Sequence, residues 1–399
     1  MAFDLIATIQ RREVWVSNQM LPESGGAAAA GLSQGLSRDK PESNIVSAAP
    51  VPRSSNLGSR APGTTYVRFT LKVGELARQA EPGQFVMAKV PTGSVDPFLR
   101  RPFSLHRIDR EREEVQILFQ VKGRGTSLLA ERDFGETLPV LGPLGRGFTL
   151  DPQRRRMILV GGGIGVAPLL ALAEKGVAAG YQVLLLLGAR SRGDLLALPE
   201  FEALGVKILV ATDDGSRGHP GLVTDLLAKV LGEGAAAGGQ ADLAGGQGSM
   251  ANGQADLAGE QADLAGSQAD LAGSQADVAS GRAHLAGGQA DLPAGRAVNG
   301  EQADRTGHQV PRPTTGKEGN PMASSVIYAC GPVPMLKKVA QLAGQYALPA
   351  QVSLEERMGC GLGACIGCAV GIQRPGQPFA YKKVCQDGPV FYAGEVVFP

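Results

Sequence analysis

Aromatic side chains are scarce in this chain, at 5% of 399 residues with a single Trp. Two stretches, 21–63 and 232–320, contain no Phe, Trp or Tyr at all. Such segments lack the large apolar groups from which a packed core is built, so they are expected to stand outside one. Removing their 43 and 89 residues leaves 267, ample for two cores and a small appendage. An excess of one charge is also missing. Thirty-nine Lys and Arg face 38 Asp and Glu, a formal net charge of +1. No basic field is available for nucleic-acid phosphates, which argues against a nucleic-acid partner. The amino-terminal MAFDLIATIQRRE carries an acid and no apolar signal-peptide core. The uncharged run Met157–Ala173 spans 17 residues, short of the ~20 a membrane helix needs, and is broken by four Gly and a Pro. The expectation is a soluble cytoplasmic protein with no membrane contact.

Glycine, by contrast, is abundant at 56 residues, about twice the usual ~7%. Over 1–150, short runs such as Val14–Val16, Thr65–Leu71, Gln84–Val90 and Val115–Val121 read as strands punctuated by Pro and Gly. Six or so strands at this spacing predict an antiparallel β-barrel. The Ala/Ser/Gly/Pro-rich stretch 21–63 interrupts it as a disordered insertion. From 151 to 350 the pattern alternates β and α. Apolar strands at Met157–Val160, Val183–Leu187, Lys207–Ala211 and Val326–Tyr328 are separated by helical stretches. This predicts a doubly wound parallel sheet. Within it, 232–320 is a low-complexity insertion holding a heptapeptide array, with GQADLAG at 239 and 253, EQADLAG at 260 and SQADLAG at 267. One Leu or Val per repeat gives no paired coiled-coil seam, and a Gly in nearly every repeat costs ~1 kcal/mol relative to Ala in a helix. The array is therefore expected to be disordered. Residues 351–399 form a third, small C-terminal domain.

Four of the five cysteines lie between 360 and 385. Cys360, Cys365 and Cys368 are spaced C-x4-C-x2-C in a Gly-rich loop, and Cys385 follows after 16 residues. That is the plant-type [2Fe-2S] arrangement. A structural zinc site is the competing reading, but it usually shows two short cysteine pairs. Gly361, Gly363 and Gly367 let the backbone wrap closely enough to aim N–H groups at sulfur. Cys330 is remote and is not a ligand candidate. Upstream, Gly161, Gly162, Gly163, Ile164, Gly165 and Pro168 form a turn between a strand and a helix, suited to a dinucleotide pyrophosphate. It departs from G-x-G-x-x-G, because Pro168 stands where the third Gly would be. Arg190 ends the second strand of this region, where a ribose-binding acid is common. NAD and NADP therefore both stay open on the residues. The four His form no metal-spaced pair, and no Ser/His/Asp set is visible.

Arg101-Pro102-Phe103-Ser104, Gly123-Arg124-Gly125-Thr126, the GGGIGVAP turn and Ala329-Cys330-Gly331-Pro332 occur in that order. The series resembles the ferredoxin–NADP reductase superfamily. The added SLEERMGCGLGACIGC and VCQDGPVF segments resemble, within it, the electron-transfer subunits of type B dihydroorotate dehydrogenases. The resemblance covers essentially all of the chain outside the two insertions. It implies FAD at the barrel, held by Arg101, Pro102, Phe103 and Ser104, with Gly125 and Thr126 at its pyrophosphate and Leu118, Phe119 and Gln120 lining it. It implies NAD on Gly161–Pro168, with Asp214, Cys330 and Gly331 near the nicotinamide half. An ordinary Asx turn is the competing reading of Asp213-Asp214. It further implies a partner, an FMN-containing dihydroorotate dehydrogenase catalytic subunit, in a heterotetramer of two of each. Electrons from dihydroorotate would then pass through [2Fe-2S] and FAD to NAD+, in pyrimidine biosynthesis. No catalytic acid or base is expected on this chain. Two alternatives remain: a flavin/iron–sulfur NAD(P)H reductase subunit serving a ferredoxin, sulfur or hydrogenase partner, or a non-enzymatic module in which the metal only shapes a surface.

Overall fold

The computed structural model describes residues 2–17, 64–90, 96–236 and 324–399. The insertion at 21–63 and the heptapeptide array at 239–294 lie outside these residues. Six strands, β1 (Phe3–Val16), β2 (Thr65–Lys72), β3 (Phe85–Ala88), β4 (Arg101–Asp109), β5 (Glu114–Gln120) and β6 (Thr137–Leu144), close into an antiparallel barrel in the order β1-β2-β5-β4-β3-β6. Closure depends on β1, whose 14 residues serve two neighbours. Phe3–Thr8 pairs with β6 and Thr8–Val16 with β2, with a bulge between Ile9 and Arg11. A bulge bends a strand and sharpens its twist, which lets one long strand turn the corner of a small barrel.

The second layer is a seven-stranded sheet. It contains β7 (Arg156–Gly162), β8 (Gln182–Ala189), β9 (Lys207–Thr212), β10 (His219–Pro220), β11 (Ser325–Cys330) and β12 (Ala350–Ser353). Beyond β13 (Ala369–Ile372) and β14 (Ala380–Lys383), β15 (Val390–Tyr392) completes it. The order is β10-β9-β8-β7-β11-β12-β15, and all pairs are parallel except the antiparallel edge β12/β15. Met157–Val160 and Val183–Leu187 are buried on both faces, which is why they read as continuous apolar runs rather than alternating ones. Ile158, Val160, Leu184 and Leu186 enter one core, and Met157, Leu159, Leu185 and Leu187 enter another. The first of these cores continues through Phe85 and Met87 of the barrel to Cys368, Ile372 and Cys385. A three-stranded antiparallel sheet, β14-β13-β16 with β16 (Val396–Val397), carries the cysteine loop.

Several elements differ from the sequence expectation. The Gly123–Gly125 punctuation opens a helix, Arg124–Ala130, and β6 runs straight through Gly142 and Pro143. The helix Val223–Ala236 extends five residues into the stretch assigned to the low-complexity insertion. The boundary placed at 350/351 does not separate two sheets, because β15 returns from the C-terminal segment into the parallel sheet. Three residues, Val390-Phe391-Tyr392, are too short a run to announce this in a sequence. No helix among the described residues is long and apolar enough to cross a membrane.

Candidate functional site

A cleft of about 230 Å³ opens where the barrel, the parallel sheet and the start of the cysteine segment meet. Strand β4 lends it Pro102, Phe103 and Ser104, and β5 lends Leu118, Phe119 and Gln120. Six of the nine residues expected at FAD thus share one cavity. Roughly 150 Å³ suffices for a single benzene ring, and this cleft is about half as large again. Phe103 and Phe119 also stack inside the barrel core with centroids 5.0 Å apart, whereas Leu118 packs with the sheet's core. Alternation along a strand produces this division. The remaining three residues sit together nearby. The Arg101 guanidinium lies over Gly125, where an added Cβ would come within 2.8 Å of Nε. The Thr126 hydroxyl accepts the N–H groups of Lys122 and Gly123 at 2.9 and 3.1 Å, closing the turn that starts the helix.

Across the cleft, Ile164 and Ala167 come from the turn after β7, and Leu354, Glu355, Glu356 and Met358 from the segment before Cys360. Glu355 and Glu356 belong to the SLEERMGCGLGACIGC segment that carried the resemblance, but neither they nor Lys122, also in the wall, were expected to line a cleft. Glu355 is open at the cleft mouth yet hemmed in by surrounding protein. Desolvation there raises its carboxyl above the ordinary value, against the pull of Lys122.

The Gly-rich turn and Cys330-Gly331 converge at the carboxyl ends of β7 and β11, which pair Gly161 with Cys330. Chain order reverses between these two strands, and such switch points are where doubly wound sheets bind ligands. Contact is close: a Cβ on Gly165 would lie 2.4 Å from the Cys330 carbonyl oxygen. Met335 fills the space beside Gly162 and Gly331. Pro168 caps the ten-residue helix Leu169–Ala178. Asp214 does not join this group. It follows β9, which β8 and β7 separate from β11. Its carboxylate accepts from the Ser216 hydroxyl at 2.6 Å and the Ser216 N–H at 3.0 Å, which hold its pKa down. This is the Asx-turn reading, in which the aspartate serves its own turn. Arg190 is drawn to the barrel side, donating to Thr64 Oγ1 at 2.8 Å and Asp194 Oδ1 at 3.3 Å.

The four clustered cysteines are gathered as two pairs. Cys360 neighbours Cys365, and Cys385 neighbours Cys368. Backbone N–H groups of Leu362 and Cys365 point at Cys360 Sγ, each at 3.4 Å, and that of Gly363 points at Cys385 Sγ at 3.2 Å. The N–H of Cys365, ahead of those of Leu362 and Ala364, pulls the Cys360 thiol down to about 6. Burial, then the neighbouring Cys368, pushes Cys385 up to about 12. The N–H donors on Cys360 favour its thiolate, the form that ligates metal, whereas burial keeps Cys385 protonated, so that metal binding there would release a proton. Two pairs suit the two irons of a [2Fe-2S] centre, each needing two protein sulfurs. The donor set therefore fits the cluster. Cys330 is fully buried under the Gly165 turn, away from the other four.

A family model for the iron–sulfur cluster binding domain of dihydroorotate dehydrogenase B matches residues 355–397. The dihydroorotate dehydrogenase B (NAD(+)) electron transfer subunit of Bacillus caldolyticus is 35% identical over 335 residues, 84% of this chain and 93% of its own. The same-named subunit of Desulforamulus reducens is 30% identical over 338 residues, 85% and 94% of the two chains. This chain belongs to the family of dihydroorotate dehydrogenase B electron transfer subunits. The fold is also that of a solved NADH-dependent reduced ferredoxin–NADP oxidoreductase, with a TM-score of 0.55 at 23% identity over 84% of this chain and 85% of that one. As a family member, the chain is an NAD-linked flavin/iron–sulfur oxidoreductase subunit, and the barrel, parallel sheet and cysteine segment each have a place in that description.

Proposed function

We propose that this chain carries electrons from a catalytic dihydroorotate dehydrogenase subunit to NAD+, with the cleft holding the FAD ring system. The observation that carries this reading is the convergence of three expected sites on one place. The cleft is walled by strands β4 and β5, where flavin is expected, by Ile164 of the expected dinucleotide turn, and by the segment leading into Cys360. When bound, FAD supplies the exchange between a two-electron hydride and single electrons that a [2Fe-2S] centre can take.

The chain's own residues bind, orient and exclude water. Arg101, folded over Gly125, presents a guanidinium beside the N-terminus of the Arg124–Ala130 helix, where the FAD phosphates would be paired. Pro102, Ser104, Leu118 and Gln120 border the ring site, and the Phe103–Phe119 pair stiffens the strands behind it. Gly161–Pro168 offers the dinucleotide phosphates a turn and the start of a helix, while Cys330 and Gly331 bring the nicotinamide end toward the cleft. Cys360, Cys365, Cys368 and Cys385 ligate iron. Hydride transfer needs alignment more than proton chemistry, so no acid or base is assigned. The partner carries FMN, the assembly is a cytoplasmic heterotetramer of two of each subunit, and NAD is the acceptor.

The test is anaerobic purification of the tagged chain from its own cells, with the eluate assayed for dihydroorotate-dependent NAD+ reduction. Orotate formation with a co-purifying FMN protein supports the reading. An eluate that oxidises NADH with artificial acceptors but ignores dihydroorotate overturns the assigned partner.

A further inference from the structure

Lys383 closes strand β14 two residues before Cys385, and neither the cysteine spacing nor the cleft gives it a role. Its Nζ donates to the Gly363 carbonyl oxygen at 2.6 Å, inside the cysteine loop. That carbonyl belongs to the peptide joining Gly363 to Ala364, in the loop between Cys360 and Cys365. The preceding peptide gives its N–H to Cys385 Sγ at 3.2 Å. Gly363 itself has φ +79°, a backbone conformation that L side chains rarely adopt. A single ammonium thus holds the residue whose N–H reaches the Cys385 thiol.

A cation on a peptide oxygen does more than fix its direction. It places a positive charge inside the cysteine loop and holds Gly363 where its N–H meets the Cys385 sulfur. N–H donation to cluster sulfurs favours the more negative, reduced state and raises the reduction potential.

We propose that Lys383 is a positioning residue for electron transfer, fixing Gly363 so that its N–H stays on Cys385 Sγ and the centre held by the four cysteines is easier to reduce. This rests on the cluster reading of those cysteines. Lys382 supplies the control. It is the adjacent strand residue, carries the same charge and points to the opposite face.

The experiment is an EPR-monitored redox titration of the full-length flavin- and cluster-loaded protein. Lys383→Met is expected to lower the reduced-to-oxidised ratio of the cluster about tenfold at fixed potential, about 59 mV for one electron. Lys383→Arg and Lys382→Met are expected to stay within about threefold of wild type. Should the Met variant assemble no cluster, Lys383→Gln, which keeps a neutral donor, is expected to shift in the same direction. A potential unchanged in the neutral Lys383 variants, or moved equally by Lys382→Met, overturns the proposal. Iron and sulfide content and the reduced-cluster signal of the wild-type protein test the ligand reading separately. Their absence overturns that reading and the inference with it.

Discussion

Gly165 has no room for a side chain: a Cβ there would meet the Cys330 carbonyl oxygen at 2.4 Å and the Gly331 Cα at 2.6 Å. Both contacts are backbone, so the turn after β7 or the end of β11 must move to admit a methyl. Gly165→Ala is expected to cost ~1–3 kcal/mol. It should also lower kcat/KM for NADH at least about tenfold, through a raised KM, while flavin and iron content stay at wild-type levels. Steady-state kinetics beside cofactor analysis check this, and equal loss of flavin would place the role in folding instead. At this scale the sequence was legible where chemistry demands fixed spacing. Cys360, Cys365, Cys368 and Cys385 announce a plant-type cluster by their spacing, and the fold brings Cys360 beside Cys365 and Cys385 beside Cys368. Asp214 was not separable from an Asx turn, because the same D-D-G-S string serves both. Lys122 and Lys383 carry no pattern, and the motif around Glu355 does not tell its place, since only the tertiary fold brings these residues to the cleft or the cysteine loop.

Strand β4 is where the barrel meets the parallel sheet, and His106 is its buried tie. The ring is fully enclosed, and its Nδ1 donates to the Ala167 carbonyl oxygen at 2.8 Å while Nε2 has no partner among the described residues. Around it, Arg107 pairs with Glu174 at 2.6 Å, and Arg68 binds Glu13 at 2.6 Å and also Glu200. Burial lowers His106 to about 4, from an ordinary value of 6.5. The unfolded chain therefore takes up a proton near pH 6.5 that the folded chain refuses until about pH 4. Stability is complete above that window and is lost as pH falls through it, by about 3 kcal/mol at 1.36 kcal/mol per unit. Denaturant unfolding at pH 7 and pH 4.5 should show the His106→Asn variant, which keeps a donor for Ala167 but does not titrate there, losing roughly 2–3 kcal/mol less than wild type. Equal losses in both proteins would remove His106 as the source. Among elements, the long apolar strands β7 and β8 were readable because burial on both faces imposes an unbroken run. Strand β15 and the Arg124–Ala130 helix were not, since three residues or a Gly-led start give no period to detect.

For the whole molecule, the connections matter as much as the sheets. The 239–294 array joins the fold between the helix ending at Ala236 and the amino end of β11. The candidate dinucleotide turns lie at the opposite, carboxyl ends of β7 and β11. Deleting 239–294 is therefore expected to leave flavin content and NADH oxidation nearly unchanged, and a large loss of either would show that the repeats support the fold. The 21–63 insertion has its roots at Ser17 and Thr64, whose backbones pair at 2.9 Å, and the Thr64 hydroxyl accepts from Arg190. The order of barrel, parallel sheet and cysteine segment was legible from motifs in sequence. Their convergence on one cleft was not, because it depends on β12 and β15 folding the C-terminal segment back against the sheet.

The central claim is that one chain joins a hydride port to a one-electron carrier, and anaerobic titration of the loaded protein with NADH tests it most directly. Flavin absorbance and the EPR signal of the reduced cluster would be followed together. The account predicts uptake of about three electrons per chain, two by the flavin and one by the cluster, with both signals responding to NADH. Flavin reduction with no cluster signal in a protein shown to contain iron and sulfide would contradict it.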